Sequence, residues 1–322
     1  MSQKEIVVVA EKRELDSNIN MYSNELDFSS REITEYILAS LEKLNYKTAC
    51  YETPKQFLEH ISRHRNSIVF TNQWGGYHSR NKRSLLAAVC EAYQLTYIGA
   101  DAYVQALCQD KYLTKSYLKD YLFSIPKAVQ ASCVKELDDW EKITYYPCII
   151  KPNDEGCSVG ISSSSIVSDF QAAKRAGTEL LKHYQPVLAE EFIQGREISV
   201  CCAGTADHID IAEAVELYID GKPLDKNIWG YETKIVDSVS VSKKAVTDEI
   251  PVWIIREGKR LFSSLGKVDF MRIDGRLYKD KFYVIELSPD CSLHPSCFMA
   301  TAFYNAGYTY TQMLERLISY EC

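Results

Sequence analysis

Residues 151–160 read Lys-Pro-Asn-Asp-Glu-Gly-Cys-Ser-Val-Gly. They follow Tyr146-Pro-Cys-Ile-Ile, an apolar run that predicts a buried strand ending on Lys151. Gly156 and Gly160 frame small side chains in the loop. Such a loop turns successive backbone N–H groups toward one point, and a lysine at its entrance adds a full charge, so the segment suits an anion. An ordinary glycine hairpin is the competing reading. No G-x-x-x-x-G-K-[ST] occurs, and no G-x-G-x-x-G follows the first strand, so any phosphate is gripped by other means.

On the N-terminal side of this loop, strands and helices alternate. Ile6 to Ala10, Lys47 to Tyr51, Ser67 to Thr71 and Leu95 to Ile98 read as strands, with helical spacing over Ser30–Asn45 and Ser84–Tyr93. Alternation of this kind implies a parallel sheet with crossover helices. A helical stretch, Asp101 to Leu122, leads into the loop region. Beyond it come a helix over Ser168–Tyr184 and strands at Val187–Glu190, Ile198–Ala203, Ile211–Ile219, Val268–Ile273 and Phe282–Leu287. A polar segment, Asp220 to Asp248, a helix through Ser264 and a helical tail from Cys297 to Tyr320 complete the pattern. The expected architecture is an α/β lobe (residues 1–100), a central part (101–186) and an α+β C-terminal part (187–322).

Composition limits the functions available. With 46% hydrophobic and 25% charged residues the chain reads as globular and soluble rather than disordered. Its net charge of −7 offers no general pull toward nucleic acid or an anionic membrane. No apolar run approaches the length of a membrane span, and the N-terminus lacks the pattern of a signal peptide. Eleven cysteines without a C-x-x-C pair support neither a zinc ribbon nor a thioredoxin-type site; reduced thiols and a cytoplasmic location are expected. His60 and His64 have the i, i+4 spacing of helical metal ligands but no third ligand nearby, so a solvated helix face is expected.

A second chemical signal lies near the C-terminus. Asp269, in Leu265-Gly-Lys-Val-Asp-Phe-Met271, and Glu286, in Tyr283-Val-Ile-Glu-Leu-Ser288, each fall within or beside an apolar strand. A buried carboxylate is costly unless paired or metal-bound. Two of them, with Ser288 and Asp290 just beyond, make an oxygen-ligand set suited to magnesium or manganese, which keeps phosphate oxygens and waters as its other ligands. Salt bridges to Lys267 or Arg272 are the alternative.

A phosphate-holding loop and an oxygen-ligand metal site in separate parts of a chain without a P-loop resemble the ATP-grasp fold. The resemblance is closest to the D-alanine–D-alanine ligase branch, over about Leu95 to the C-terminus. Gln109-Asp-Lys111, Glu155-Gly-Cys-Ser-Val-Gly160, Val187-Leu-Ala-Glu-Glu-Phe-Ile-Gln-Gly-Arg-Glu197, Tyr231-Glu-Thr-Lys234 and Phe282 through Glu286 follow that branch's motifs in order. The resemblance implies ATP-dependent joining of a carboxylate to an amine through an acyl phosphate. It implies that Lys111, Lys151 and Ser158 hold phosphates, that Glu190, Glu191 and Ile193 meet the adenine, and that Glu197 meets the ribose. Lys234 would then reach the γ-phosphate, Asp269, Glu286 and Ser288 would hold Mg²⁺ (or Mn²⁺), and Lys267 would stand where the family has an arginine that stabilises the oxyanion. A homodimer is a further expectation from the resemblance.

The substrate-facing segments depart from the family. Its glycine-rich first motif has no counterpart after the first strand, and an acidic motif is replaced by Trp74-Gly-Gly-Tyr-His-Ser-Arg-Asn-Lys-Arg83. The loop serine and a tyrosine of the first substrate's site fall at Cys157 and Ile235. Arg80 and Arg83 are therefore expected to bind an acid with extra negative charge or an aromatic ring, with His294 and Ser296 near the second substrate. Cys157 reads as a packing residue, since this chemistry needs no thiol nucleophile. The expectation is a ligase of small amino or carboxylic acids other than two D-alanines. Intramolecular cyclisation and a non-catalytic nucleotide-binding module remain open.

Overall fold

The computed structural model describes residues 4–10, 12, 13, 19–27, 29–71, 79–236 and 238–321. Four parallel strands form the N-terminal sheet: β1 (Ile6–Val9), β2 (Thr48–Tyr51), β3 (Ile68–Thr71) and β4 (Thr96–Ile98), in the order β2-β1-β3-β4. β1 is central and covered on both faces, which is why all four of its residues are apolar and fully buried. Val7 and Val9 pack on Phe57 of α2 (Pro54–His60) and on Leu86 and Cys90 of α3 (Leu85–Ala92), on one face. On the other, Ile6 and Val8 pack on α1 (Arg31–Lys43) and on the C-terminal helices α8 (Phe298–Asn305) and α9 (Tyr310–Ser319). Each such side chain contributes about 1.5–3 kcal/mol relative to exposure. The two ends of the chain therefore close one core.

The central sheet is antiparallel. It contains β5 (Ala128–Ala131), β6 (Cys148–Pro152), β7 (Ile166–Val167) and β8 (Val187–Glu191), in the order β5-β8-β6-β7. Helix α6 (Phe170–Leu180) packs on one face with Trp140. The largest sheet follows, with β9 (Arg196–Gly204), β10 (Ile209–Ile219), β11 (Lys222–Pro223), β12 (Val241–Ala245), β13 (Phe270–Tyr278) and β14 (Lys281–Pro289). Its order is β11-β10-β9-β13-β14, with β12 also paired to β10. Helix α7 (Val252–Ser264) buries Ile254, Leu261 and Phe262 against it.

Three expectations need correction. The boundary at residue 187 falls one strand early, because Val187–Glu191 pairs with both β5 and β6 and belongs to the central sheet. The helical stretch 101–122 breaks at Asp110, which caps a new helix by accepting from Leu113 N at 2.9 Å. The result is α4 (Ala102–Gln109) and α5 (Lys111–Tyr117), with Lys111 at the first position of α5. His64 is buried rather than solvated, its ring held by Tyr51 Oη at 2.7 Å and Glu5 Oε2 at 2.9 Å. Among the described residues no helix is long and apolar enough to cross a membrane.

A short segment of the N-terminal lobe, residues 19–27, crosses to the other two sheets. The carbonyl of Met21 accepts from Gly160 N at 2.7 Å, and that of Tyr22 from Tyr184 Oη at 2.7 Å. The carbonyl of Ile19 accepts from Tyr231 Oη at 3.0 Å, and the Tyr22 ring stacks on His183 with centroids 4.0 Å apart.

Candidate active site

A cleft of about 300 Å³ opens where the three sheets meet. The central sheet contributes Lys151 at the end of β6, beside Glu190 on β8. Lys151 Nζ lies 2.7 Å from Glu190 Oε1, and Lys115 of α5 sits 2.6 Å from Glu190 Oε2. Burial pushes the Lys151 ammonium down to about 8, with Lys115 and Lys111 adding to the effect against the pull of Glu190. Burial would raise the Glu190 carboxyl, but the two lysines outweigh it and hold it below the usual range.

The loop after β6 turns back through Cys157 (φ +51°), Ser158 (φ +64°) and Gly160 (φ +70°). Two successive left-handed residues without glycine are costly and persist only where the surroundings impose them. Here Ser158 Oγ donates to Trp229 O at 2.6 Å, pinning residues 228–234 over the loop. In that segment Lys234 rests 4.4 Å from the Trp229 ring, with no carboxylate in ion-pair range among the described residues. Burial lowers its pKa.

The largest sheet supplies the acid groups. Asp274 of β13 lies directly opposite Glu286 of β14, at a bulge between Asp274 and Gly275. Ser288 Oγ donates to Asp274 Oδ2 at 2.9 Å and to Glu286 Oε1 at 3.3 Å, bridging the two carboxylates. Arg272 Nη2 lies 2.9 Å from Asp274 Oδ2, and Lys111 Nζ 3.5 Å from Glu286 Oε2. Burial opposes ionisation of Glu286, but Lys111, Arg83, Lys151 and Arg272 together keep its pKa low. Glu197, at the start of β9, sits 2.6 Å from Arg276 Nη2 at the cleft edge. Ile149, Ile193 and Ile285 form an apolar wall nearby.

Of the residues expected from the sequence, Lys111, Lys151, Ser158, Glu190, Glu191, Ile193, Glu197, Lys234, Glu286 and Ser288 line this cleft. Asp269 and Lys267 do not. Asp269 precedes β13, accepts from Gly99 N at 2.6 Å and pairs with Lys267 Nζ at 2.7 Å, while Lys267 also holds Glu321 at 2.5 Å. These three tie the β4–α4 turn to the C-terminus. Asp290 is similarly committed, accepting from Ala100 N at 2.8 Å and Gln105 Nε2 at 2.5 Å. A Cβ on Gly99 (φ +121°) would stand 2.5 Å from Asp290 Oδ2, so this turn tolerates only glycine.

Arg80 is exposed and pairs with Asp110 outside the cleft, and His294 bonds Ser296 and faces Glu32. None of the three lines the cleft. Residues 72–78 of the basic aromatic segment and the side chain of Ile235 lie outside the described residues. The sequence reading missed Asp27, Trp229, Arg272, Asp274 and Arg276, all of which line the cleft. Arg272-Ile-Asp274 repeats the Lys267-Val-Asp269 pattern five residues on. Counting back from the Tyr278–Lys281 turn would have set Asp274 near Glu286.

Residues 118–319 match the family described as D-ala D-ala ligase C-terminus. The chain belongs to that family. It is 25% identical to the D-alanine–D-alanine ligase of Thermotoga petrophila over 293 residues, covering 88% of this chain and 89% of that protein. The Thermotoga maritima D-alanine–D-alanine ligase is 26% identical over the same length, with the same coverage. Among solved structures, the D-alanine–D-alanine ligase of Bacillus anthracis complexed with ATP superposes with a TM-score of 0.71 at 16% identity, covering 99% of this chain and 97% of that one. The VanG D-Ala:D-Ser ligase of Enterococcus faecalis gives 0.71 at 18% identity, with both chains fully covered. The fold of this D-alanine ligase-like chain is thus the ATP-grasp fold with an N-terminal parallel α/β lobe. Its family is one of ATP-dependent carboxylate–amine ligases.

Proposed function

We propose that this protein is an ATP-dependent, ADP-forming carboxylate–amine ligase that joins substrates other than two D-alanines through an acyl phosphate. One observation carries the reading: cations from the N-terminal lobe, the central part and the largest sheet converge on a bridged pair of carboxylates, and several buried donors around them have no acceptor among the described residues. Among those residues Lys234 has no carboxylate in ion-pair range, and Arg272 Nε and Trp229 Nε1 are buried without hydrogen-bond partners. A cleft with donors in excess is suited to an oxygen-rich anion.

Lys111 and Lys151 are assigned to the bound phosphates and Lys234 to the one being transferred. The apolar wall and the backbone at Glu191–Ile193 are assigned to the adenine, and Glu197 to the ribose hydroxyls. The described residues contain no group of three His, Cys, Asp or Glu side chains fit for a metal. Magnesium, which takes one or two carboxylates and fills its shell with water and phosphate, fits Asp274, Glu286 and Ser288 nonetheless. When bound there it neutralises charge on the transferring phosphoryl group. Lys234 opposes the same charge from the Trp229 side. Arg272, fixed by Asp274, has an Nε–H free to stabilise a tetrahedral oxyanion when the amine attacks, the role the sequence had suggested for Lys267. The exclusion of two D-alanines rests on the first substrate's side of the cleft. There Asp27 is already paired with Arg83 at 2.8 Å, leaving no spare carboxylate among the described residues to receive a free ammonium.

The test is ADP release from MgATP with pooled amino acids and carboxylic acids, with and without hydroxylamine, which intercepts an acyl phosphate. Release tied to one pool, with its hydroxamate, is expected, and product mass then separates joining of two molecules from cyclisation of one. Tight MgATP binding without acid-dependent release would overturn the ligase reading, and efficient D-alanyl-D-alanine formation would overturn its substrate half.

Nucleotide binding also has an expected pH dependence. Phosphate needs the charged form of Lys151, so MgADP affinity should be level below about pH 7 and fall by up to about tenfold per pH unit above 8. Lys151→Arg stays charged and should flatten the profile. Calorimetric titration across this range checks it, and a level wild-type profile would remove Lys151 from the phosphate site.

A further inference from the structure

We infer that Arg83 recognises a second anionic group on the acid substrate, so that the acyl donor is a dicarboxylate or a similarly dianionic acid. The inference rests on the ligase reading and extends it to substrate class. Arg83 comes from the 3₁₀ turn Lys82–Ser84 of the N-terminal lobe and reaches into the cleft, its side chain 12% exposed. One nitrogen does all its pairing: Nη2 donates to Asp27 Oδ1 at 2.8 Å and to Oδ2 at 3.0 Å. Nε is buried without a partner, and Nη1 has no protein acceptor among the described residues. A guanidinium offers five N–H donors, and burying them unpaired costs free energy that an arriving acceptor recovers.

The neighbours of Arg83 point the same way. Lys82, 3% exposed, pairs with Glu155 at 2.5 Å and lies 3.9 Å from Asp27, so Asp27 faces two cations. Two cations against Asp27 and Glu155 balance in charge, but among the described residues the nitrogens left with no partner at all, Nε and Nη1, belong to Arg83. A Cβ on Gly156 would collide with Arg83 Nη2, so the phosphate loop is shaped to let this side chain pass over it. Arg83, Cys157 and Lys234 all line the cleft, and Cys157 is within electrostatic reach of both Asp27 and Lys234. The free edge of Arg83 therefore shares one wall of the cleft with the residue assigned to the transferring phosphate. An acid whose reacting carboxylate lies toward Lys234 can set a second carboxylate against Arg83. Charge-assisted pairing with a guanidinium is among the stronger hydrogen bonds a site can make.

The test uses matched acids differing by one carboxylate: succinate and butyrate, aspartate and alanine, N-acetylaspartate and N-acetylalanine. Calorimetry with the full-length protein and MgADP needs no turnover. At least one dicarboxylate should bind about 10- to 100-fold more tightly than its partner, and Arg83→Gln should erase the difference. Arg83→Lys should keep part of it. Since Arg83→Gln strands Asp27, Asp27→Asn/Arg83→Gln restores neutrality and should still show no preference. If Arg83 only neutralises Asp27, the double variant regains wild-type preference and the inference fails. It also fails if wild type binds both members of every pair alike or binds none. Arg83-dependent dicarboxylate binding without any hydroxamate would sustain the inference while overturning the ligase reading alone.

Discussion

Asp274→Asn should lower ADP-forming turnover at saturating MgATP by at least about a hundredfold, while Asp269→Asn should leave kcat within about threefold of wild type. The contrast is informative because both aspartates sit in a basic-x-Asp pattern, yet Asp269 is buried while the Asp274 side chain keeps 22% of its surface open to the cleft. Asp274 faces Glu286 across the ladder, shares Ser288 with it and fixes Arg272. Removing its charge weakens the metal pair and releases the guanidinium together. Asp269 is spent on Gly99 N and Lys267, and its loss should appear instead as a melting temperature lower by several degrees. Steady-state kinetics and thermal unfolding of the two variants suffice. An inactive Asp269→Asn beside an active Asp274→Asn would return the acidic site to the position that sequence spacing suggested.

Glu190→Gln should be the most destabilising conservative change in the cleft, at about 3–5 kcal/mol near neutral pH. Its carboxylate is 1% exposed and is contacted by two buried ammonium groups, Lys115 and Lys151. An amide leaves both cations uncompensated. The sign with pH follows from Lys151, whose folded pKa already lies below its ordinary value, so its charged form opposes folding and does so most at low pH. Without Glu190 the Lys151 pKa falls further, so the loss should be largest at mildly acidic pH and shrink as pH rises toward 8. It should shrink again in stronger acid, where Glu190 itself is protonated. Urea unfolding across this range checks it, with Lys151→Met in the Glu190→Gln background expected to recover part of the loss. A loss independent of pH would assign it to packing.

How much of this was legible depended on whether a residue's position follows from its own strand or from a partner. Lys151, Glu190 and Glu286 lie on apolar strands whose ends can be read directly, and they were found. Lys111 was found through its Asp-Lys pair, although the helix break at Asp110 that positions it was not. Asp274 was missed because the apolar pattern of β13 gives neither its register against β14 nor the bulge, and both decide which aspartate meets Glu286. Asp27 and Arg83 are 56 residues apart and meet only through tertiary packing. His294 and Ser296 follow β14 in a loop, and nothing local encodes that this loop turns toward Glu32 rather than into the cleft.

The segment formed by residues 19–27 holds to the other sheets largely through carbonyls: those of Ile19, Met21 and Tyr22 accept the hydrogen bonds, while the donors belong to Tyr231, Gly160 and Tyr184. Every amino acid carries that carbonyl. Evolutionary drift at Ile19 and Met21 can therefore proceed without unfastening the crossing, whereas Tyr184 and Tyr231 on the receiving side have no such latitude. Among homologues, the mark of this crossing would be found in the two tyrosines that grip it rather than in the segment itself.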